Sequence, residues 1–557
     1  MWIKLLLLVF VFSFLFRTDF SFDQDLGRHI KNGEVILNNF SLINSNLYSY
    51  TNPDFKFINT HWGFGVIAFV FYSTIGIYWL LILKIIIFLT SIWIILSIPN
   101  INPLLLPIGF IFFHTLRERT ELRPEILSFL FTSLTFYILN RFENTKTKLI
   151  FTLPLIQLLW INIHIYFFVG LILQLIFIVS LFIRKEKSKL KSLTTIFGLS
   201  VIFSLLNPNL INGLLYPLNI NQNYGYTIVE NQTIFMLESL GFNNRNFIFA
   251  KTAAIIIFIS LIFAFFKKSL SIKNTLIALL GLILAFWHVR SLPYLVFLSL
   301  PAVLSNFEKI TPNFWTKLLN IFFGGLLIVE SFLYLNGSYY KYTDNAYSPK
   351  LDIAQSGRGA LDFVKANNLK GPVYNNFDIG SYIIFRLYPL ERVFIDGRPE
   401  AYPKEFIQNI YIPGQSDRVK FKEQEKQYSF NTIIFSHTDQ TPWGKALLTN
   451  LLKDSEWKLV YIDDFMIVLT KPDSNLPHVD LSKLQPNNYN FDNHLSYLRL
   501  SIFLLNNGYS TSGLEFAKEG YKKFNDSPTA NLILSKTITN FLQPNPYIQK
   551  TANFYWW

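Results

Sequence analysis

Apolar segments recur about eleven times in the first 335 residues, and they constrain the fold more than any other feature of the sequence. In lipid the backbone has no water to bond, so each crossing segment must satisfy its own N–H and C=O groups, which a helix does. The sequence therefore predicts a polytopic α-helical membrane domain with about eleven transmembrane helices, and an interfacial or re-entrant helix at 62–74. The apolar segments lie at residues 2–16, 76–98, 103–115, 124–140, 149–163, 166–183, 192–206, 250–266, 274–287, 292–305 and 318–335.

Composition agrees with a membrane protein. Hydrophobic residues make up 51% of the 557 residues and charged residues only 15%, which is too apolar for a soluble chain of this length. The sequence contains no cysteine, so disulfides, thiolate catalysis and cysteine-based metal sites are excluded. The net charge is +13, and the basic residues lie mostly in short loops between apolar segments. This distribution indicates the orientation of a chain in a lipid bilayer and not the binding of nucleic acid.

Lysine and arginine determine the expected orientation. The first segment has no small-residue cleavage site after it, so we interpret it as an uncleaved helix whose N-terminus is cytoplasmic. The positive-inside rule then predicts a multi-pass protein of the inner (plasma) membrane with its C-terminal half outside the cytoplasm. Thirteen lysines and arginines lie in the predicted inner loops 141–148, 184–191, 267–273 and 306–317, and only four arginines in the outer turns 116–123 and 288–291.

Residues 336–474 are predicted to form a small extracytoplasmic α/β domain. Short β-rich segments alternate there with helical segments, a pattern typical of α/β folds. No Gly-x-Gly-x-x-Gly follows a predicted strand, so a dinucleotide site has no support. The predicted strand segments are 371–375, 392–398, 431–437 and 457–471, and the predicted helices are 359–368, 379–387 and 444–454.

The tail, residues 475–557, is predicted to be helical. A helix, an Asn-Gly turn, a second helix, a Ser-Pro step and a third helix follow each other between residues 490 and 545. This arrangement resembles a tetratricopeptide repeat. One such repeat buries its apolar face poorly without neighbours, so a capping helical hairpin remains an equal interpretation.

A polar cluster, "DFSFDQDLGRHIKNGE" (residues 19–34), lies in the first outer loop, residues 17–60. Asp23 and Asp25 form an Asp-x-Asp pair, whose carboxylates point to the same side of an extended segment. Such a pair can bind a divalent cation, Mg²⁺ or Mn²⁺, or supply a general base. Partial desolvation beside apolar helices favours the second role.

A second polar cluster, "TLRERTELRPE" (residues 115–125), lies in an outer turn on the same face. Charges at membrane depth are costly, which indicates function. Guanidinium groups bind phosphate in a bidentate way, so Arg117, Arg119 and Arg123 are candidate phosphate ligands. An ordinary solvated turn with local salt bridges is the alternative.

Histidines and one more arginine accompany these clusters. His288 and Arg290 lie at another outer helix end, and His61 begins "HWGFGV". A histidine within an apolar helix is usually a satisfied core residue, and we interpret His164 in that way.

Four stretches resemble the GT-C superfamily of integral-membrane glycosyltransferases, and more narrowly a bacterial branch without an assigned activity. These stretches are "FDQDLGRHIKNGEVILNN", "NLYSYTNPDFKFINTHW", "LRPEILSFLF" and "NNFDIGSYIIFRLYPLERVFIDGRPEAYP". The resemblance covers residues 1–470 in outline. It departs from the family pattern at "THWGFG", where the acidic residue expected between His61 and Trp62 is missing.

The resemblance implies a donor, a reaction and roles for residues. The donor is a polyprenyl-phosphate-linked sugar, and the acceptor is an extracytoplasmic glycan, lipid or protein. The carboxylate of Asp25, with Asp23 beside it, deprotonates an acceptor hydroxyl, and the reaction inverts the anomeric carbon. The implied phosphate ligands are Arg117, Arg119, Arg123 and Arg290, and the implied substrate-binding residues are His29, His61 and His288. No cofactor is certain, and a divalent cation stays an option.

Two other classes of function compete with this interpretation. A transporter is expected to show internal repeats and broken helices near the midplane, and no repeat is visible between the halves. A non-catalytic membrane scaffold whose helical tail binds a partner is the second alternative. The segment "FIDGRPE" (residues 394–400) either docks the acceptor or orders a tight turn.

Overall fold

The computed structural model describes residues 2–20, 25–98, 102–219, 224–343, 347–354 and 356–525. This part of the chain is mostly helical and carries one mixed four-stranded sheet. One large hydrophobic core runs through the helical region, and a second one lies between the sheet and the C-terminal helices.

Each of the eleven predicted apolar segments lies on a helix of the structure. Four helical stretches are long and apolar enough to cross a membrane, namely Ile77–Ile95, Ile165–Ile183, Arg245–Phe266 and Phe314–Leu335. The helices of this region are α1 (Trp2–Leu15), α2 (Gly27–Asn39), α3 (Trp62–Ile75), α4 (Ile77–Ile95), α5 (Leu105–His114), α6 (Glu125–Thr145), α7 (Leu153–Ile163), α8 (Phe168–Ile183), α9 (Lys187–Ser204), α10 (Leu210–Asn219), α11 (Ile234–Ser239), α12 (Arg245–Phe266), α13 (Ile272–Trp287), α14 (Leu300–Asn306), α15 (Phe314–Leu335) and α16 (Ser338–Thr343).

The first outer loop folds back as helix α2, which crosses α3 in close contact. Gly33 of α2 and Gly65 of α3 face each other, and a Cβ atom at Gly33 would lie 2.1 Å from the carbonyl oxygen of Gly65. Only a residue without a side chain allows two backbones to approach so closely. The crossing therefore fixes the start of α2 against a helix of the apolar region.

The predicted α/β region contains strands β1 (Val373–Asn375), β2 (Thr432–Ser436), β3 (Lys458–Ile462) and β4 (Met466–Thr470). Their order in the sheet is β1-β2-β4-β3, with β1 and β2 parallel and the other pairs antiparallel. All three predicted helices are present. The helices of this region are α17 (Arg358–Ala366), α18 (Gly380–Leu387), α19 (Ile412–Ser416), α20 (Arg418–Tyr428) and α21 (Pro442–Leu451).

The strand predicted at 392–398 is wrong. Only one isolated bridge forms there, between Ser49 and Val393. The backbone polar groups of this segment are satisfied by other partners instead. The side chain of Asn375 accepts from Phe394 N at 2.9 Å and donates to Ile395 O at 2.7 Å. The hydroxyl of Ser49 donates to Phe394 O at 3.2 Å, so side chains replace the expected strand ladder.

The tail contains a helical hairpin of α22 (His494–Asn506) and α23 (Ser510–Lys523), separated by the predicted Asn-Gly turn. The hairpin packs on the sheet region, where the rings of His437 and Phe503 lie 4.7 Å apart. The third helix predicted for a tetratricopeptide repeat lies outside the described residues.

Asp463 closes the turn between β3 and β4, and its ionisation gives a test of this packing. Its Oδ1 accepts from Phe465 N at 2.9 Å and Met466 N at 2.7 Å. Burial, and then the charge of Asp464, raise its pKa to about 7. An unfolded aspartate ionises near pH 4, so this group opposes folding increasingly as the pH rises from about 4 to about 7.

We expect the Asp463→Asn substitution to relieve that cost. Asparagine keeps the accepting oxygen and cannot ionise, so the melting temperature of the variant relative to wild type should be a few degrees higher at pH 8 than at pH 5. Thermal unfolding of the detergent-solubilised protein at both pH values measures the difference. A difference that is the same at both pH values would contradict the shifted ionisation.

Candidate functional site

Asp25 lies in the turn that begins helix α2 and is held by two arginines. Its Oδ1 accepts from Arg28 at 3.0 Å, and its Oδ2 lies 3.4 Å from Arg123. Arg28 also donates to Ser381 of α18 at 3.3 Å, which ties the start of α2 to the sheet-containing region. The carboxylate of Asp25 therefore lies where the first outer loop, the second outer turn and α18 meet. Asp23 lies outside the described residues.

The second outer turn brings Arg119 and Arg123 to the same place as Asp25. Arg123 contacts Glu230 at 3.0 Å, and Arg119 contacts Glu230 at 2.9 Å and Glu125 at 2.5 Å. Both arginines are less than a tenth exposed. Three carboxylates and, with Arg28, three guanidinium groups thus balance each other in this cluster.

Glu230 is a site residue that the sequence analysis missed. It lies in the connection 207–249 between two apolar segments, where Glu238 is the only other acidic residue. An acidic residue in a connection with so few of them was the sequence signal that could have identified Glu230. Burial alone would raise the pKa of Glu230, but Arg119 and Arg123 lower it to about 2. Glu230 is therefore ionised at neutral pH.

The loop that carries Glu230, residues 224–232, is attached at both ends. The ring of Tyr226 stacks on Phe377 with 4.3 Å between centroids. A Cβ atom at Gly225 would lie 2.8 Å from Lys404 O, so this end of the loop lies directly on the sheet-containing region. At the other end, Gln232 O accepts from Val289 N at 3.0 Å. The loop therefore links that region to the turn after α13.

Arg290, in the short turn Val289–Ser291, differs from the other arginines of the site. Within the described residues it has no hydrogen bond or ion pair, and its buried Nε lacks a partner. Its positive charge reaches the histidines of the site, because it helps to lower the pKa of both His61 and His288. Arg290 therefore supplies a positive charge beyond the balanced cluster.

The histidines lie in a row beside Asp25. The ring of His29 is 5.6 Å from that of His61, which is 5.4 Å from that of His164. Burial and then Arg28 lower the pKa of His61 to about 4, so it is neutral at pH 7. His164 bonds Ser128 at 2.7 Å and stacks on Tyr166, as expected for a core residue.

His288 lies apart from this row and caps the end of α13. Its ring centroid is 5.4 Å from that of Trp287. Burial and the charge of Arg290 lower its pKa to about 4, so His288 is also neutral at pH 7.

Arg117, predicted as a phosphate ligand, points in another direction. Its guanidinium donates to Tyr334 at 2.5 Å, to Tyr339 at 2.9 Å and to Asn246 at 2.8 Å. These partners belong to α15, α16 and α12. The short turn Thr115–Glu118 directs Arg117 away from Asp25, and its contacts are those of a residue that packs helices together.

The segment "FIDGRPE" resolves into two parts. Asp396 and Arg398 are buried and form a two-bond ion pair with both distances at 2.7 Å. Arg398 also donates to Asn46 at 2.8 Å, and Tyr402 donates to Asp396 at 2.8 Å. This pair therefore orders the turn and joins it to the first outer loop. Glu400 stays half-buried.

No group of three histidine or acidic side chains in the described part of the chain is arranged to hold a metal ion. Asp25, for which cation binding together with Asp23 is one of the two roles considered, is engaged there by arginines.

Comparison with known proteins identifies the fold. No family model matches the sequence, and no curated protein does. A solved structure does match: the archaeal oligosaccharyltransferase AglB from Archaeoglobus fulgidus, in complex with an inhibitory peptide and a dolichol-phosphate. The TM-score is 0.55 at 10% identity, over 94% of this chain and 86% of the other. The chain has a GT-C fold. The expected resemblance is confirmed at the level of the fold, and the four long apolar helices agree with a membrane location.

Proposed function

We propose that this GT-C protein is a membrane glycosyltransferase that moves a sugar from a polyprenyl-phosphate donor to an extracytoplasmic acceptor. The observation that carries the proposal is the meeting of Asp25 with Arg123 and Glu230 at one end of the helical region. AglB was solved with a dolichol-phosphate and a peptide, which supports a lipid-phosphate donor and a separate acceptor as the two partners.

Asp25 is proposed as the general base. Its carboxylate takes the proton of the acceptor hydroxyl while the hydroxyl oxygen bonds to the anomeric carbon and the bond from that carbon to the phosphate oxygen breaks. Attack opposite to the leaving group inverts the configuration of the sugar. Arg28 and Arg123 fix the carboxylate from two sides, so that it is positioned before the acceptor arrives.

Arg290 is proposed as the principal ligand of the departing phosphate. Arg119 and Arg123 are neutralised by Glu125, Glu230 and Asp25, so the unbalanced charge of Arg290 is the one available to a dianion. The neutral rings of His61, in the histidine row, and of His288, next to Arg290 in the chain, can each donate to phosphate or sugar oxygens. The resemblance assigns substrate binding to His29 as well, beside His61.

The expected division of the chain becomes part of the proposal. Residues 1–335 form the membrane domain, 336–474 the extracytoplasmic α/β domain and 475–557 the helical tail, with the N-terminus in the cytoplasm. In this arrangement Asp25, Arg290 and the sheet-containing domain share one face of the membrane. That is the face where the sugar and phosphate of a lipid-linked donor emerge from the hydrocarbon.

A reconstituted transfer assay tests the proposal. Purified protein in liposomes receives a panel of radiolabelled polyprenyl-phosphate sugars and a membrane extract as acceptor, with Mg²⁺, with Mn²⁺ or with EDTA. Label that leaves the lipid in wild type but not in Asp25→Asn supports the glycosyltransferase. Label that stays on the lipid throughout the panel, with folded protein, would favour the scaffold instead.

Replacing Arg290 separates phosphate binding from helix packing. We expect Arg290→Met to reduce transfer about 100-fold, because loss of one preorganised charge at a leaving group has effects of that size. Arg117→Met is the matched control, since its guanidinium contacts tyrosines and an asparagine. This control should lower the melting temperature and leave transfer per folded molecule within about threefold of wild type. Equal losses of transfer activity in both variants would contradict a role of Arg290 in phosphate binding.

A further inference from the structure

An open cleft of about 420 Å³ lies in the sheet-containing region, between the end of β3 and the segment that leads to α22. Cavities that bind small molecules typically measure roughly 300–1,000 Å³. The linking segment is anchored along β3, because Val479 N donates to Leu459 O at 2.8 Å and the Tyr489 hydroxyl donates to Ile462 O at 3.3 Å. Both walls of the cleft are therefore fixed.

Aromatic faces and amide groups line this cleft together. Tyr489 and Phe491 lie side by side, with 5.3 Å between ring centroids. Tyr461 of β3 also lines the cleft, and its ring lies 4.9 Å from that of Phe363. All three rings are partly exposed. Asn488 and Asn490 alternate with the two rings along the segment and are exposed. Rings and amides thus alternate along one wall of the cleft.

The charges of the cleft exclude one class of ligand. Among the described residues that line it there is no lysine, arginine or histidine, and Asp463 is the one carboxyl group. A phosphate or carboxylate ligand would therefore find no cation in the lining. A neutral ligand with C–H faces can pack on the aromatic rings, and its hydroxyls can form hydrogen bonds with the side-chain amides.

We propose that this cleft binds a neutral oligosaccharide and holds it as the acceptor glycan. Pyranose rings present a flat C–H face that stacks on Tyr489 and Phe491. Their hydroxyls donate to and accept from the side-chain amides of Asn488 and Asn490. The role as acceptor site rests on the proposed function, whereas the binding of the saccharide does not.

Binding to the full chain in lipid nanodiscs tests the proposal directly. The probes are four neutral tetrasaccharides, namely maltotetraose, cellotetraose, mannotetraose and chitotetraose, with tetragalacturonate as the anionic comparison. We expect saturable binding of at least one neutral probe by saturation-transfer NMR and calorimetry, and none of tetragalacturonate. The double substitution Asn488→Ala with Asn490→Ala should weaken that binding at least tenfold.

Matched controls make the result specific. Asn487→Ala removes an exposed asparagine that adjoins the cleft without lining it, and it should change affinity less than twofold. Asp25→Asn should abolish transfer and leave saccharide binding intact. Absence of binding by all four neutral probes, or equal weakening by Asn487→Ala, would overturn the cleft. Saccharide binding without any transfer in wild type would count against the proposed enzyme and not against the cleft.

Discussion

Replacement of Asp25 by asparagine is expected to reduce sugar transfer about 10³–10⁴-fold. The substitution keeps the size of the side chain and one accepting oxygen for Arg28 and Arg123, but an amide cannot take the acceptor proton. Positioned general bases contribute up to about 10⁴-fold to a rate, and Asp25 is the described carboxylate at the start of α2 that both arginines hold. The initial rate of label release from the lipid donor measures the loss.

Two variants bound the interpretation of that loss. Asp54→Asn changes an exposed aspartate in the same first outer loop, and its rate should equal that of wild type. Asp25→Glu keeps a base at the wrong distance, so it should retain more activity than Asp25→Asn. If Asp25→Asn keeps more than a tenth of wild-type transfer, the base lies elsewhere.

Replacement of Arg398 by methionine is expected to lower the free energy of unfolding by about 3–5 kcal/mol. Removal of one partner leaves Asp396 buried and unpaired, and such loss of a buried partner costs that amount. The pair also bonds Asn46 and Tyr402, so the first outer loop should loosen together with the turn. Urea unfolding followed by tryptophan fluorescence, with limited proteolysis of the first outer loop, measures both effects.

A second substitution in the same pair distinguishes the lost partner from lost packing. In the double variant Asp396→Asn with Arg398→Met no charge stays buried, so we expect it to be more stable than Arg398→Met alone. Arg418→Met is the surface control, because Arg418 is mostly exposed and lies 3.5 Å from Asp454. Its effect should stay below about 1 kcal/mol. A stable Arg398→Met variant would contradict the structural role of the pair.

Local sequence patterns were sufficient to predict most elements but not all of their pairings. The apolar segments and the alternation in 371–471 gave the helices and three of the four predicted strand segments, because both depend on neighbouring residues. The segment 392–398 has the composition of a strand. Its backbone is satisfied by Asn375 and Ser49, which are distant in sequence, so no local pattern could show that it stays unpaired.

The site was predictable only where one loop contains it. The cluster 115–125 contributes Arg119 and Arg123 to the site. The conformation of one short turn instead places the side chain of Arg117 against α15. Spacing in the sequence does not determine that conformation. Glu230 comes from a connection more than 100 residues away and joins the site through tertiary contacts alone. Such a partner requires the three-dimensional structure.

The attachment of loop 224–232 ties the charge balance of the site to the position of the sheet-containing region. The loop is nine residues long, so a displacement of the sheet-containing domain that carries Tyr226 along with Phe377 stretches the chain towards Gln232. Glu230 lies between these two anchors, so such a stretch would pull it away from Arg119 and Arg123. Its departure would leave Arg119 and Arg123 with excess positive charge at the moment when the domain moves. In the proposed transferase, the position of the sheet-containing region and the affinity for an anionic leaving group would thereby be coupled through one short loop.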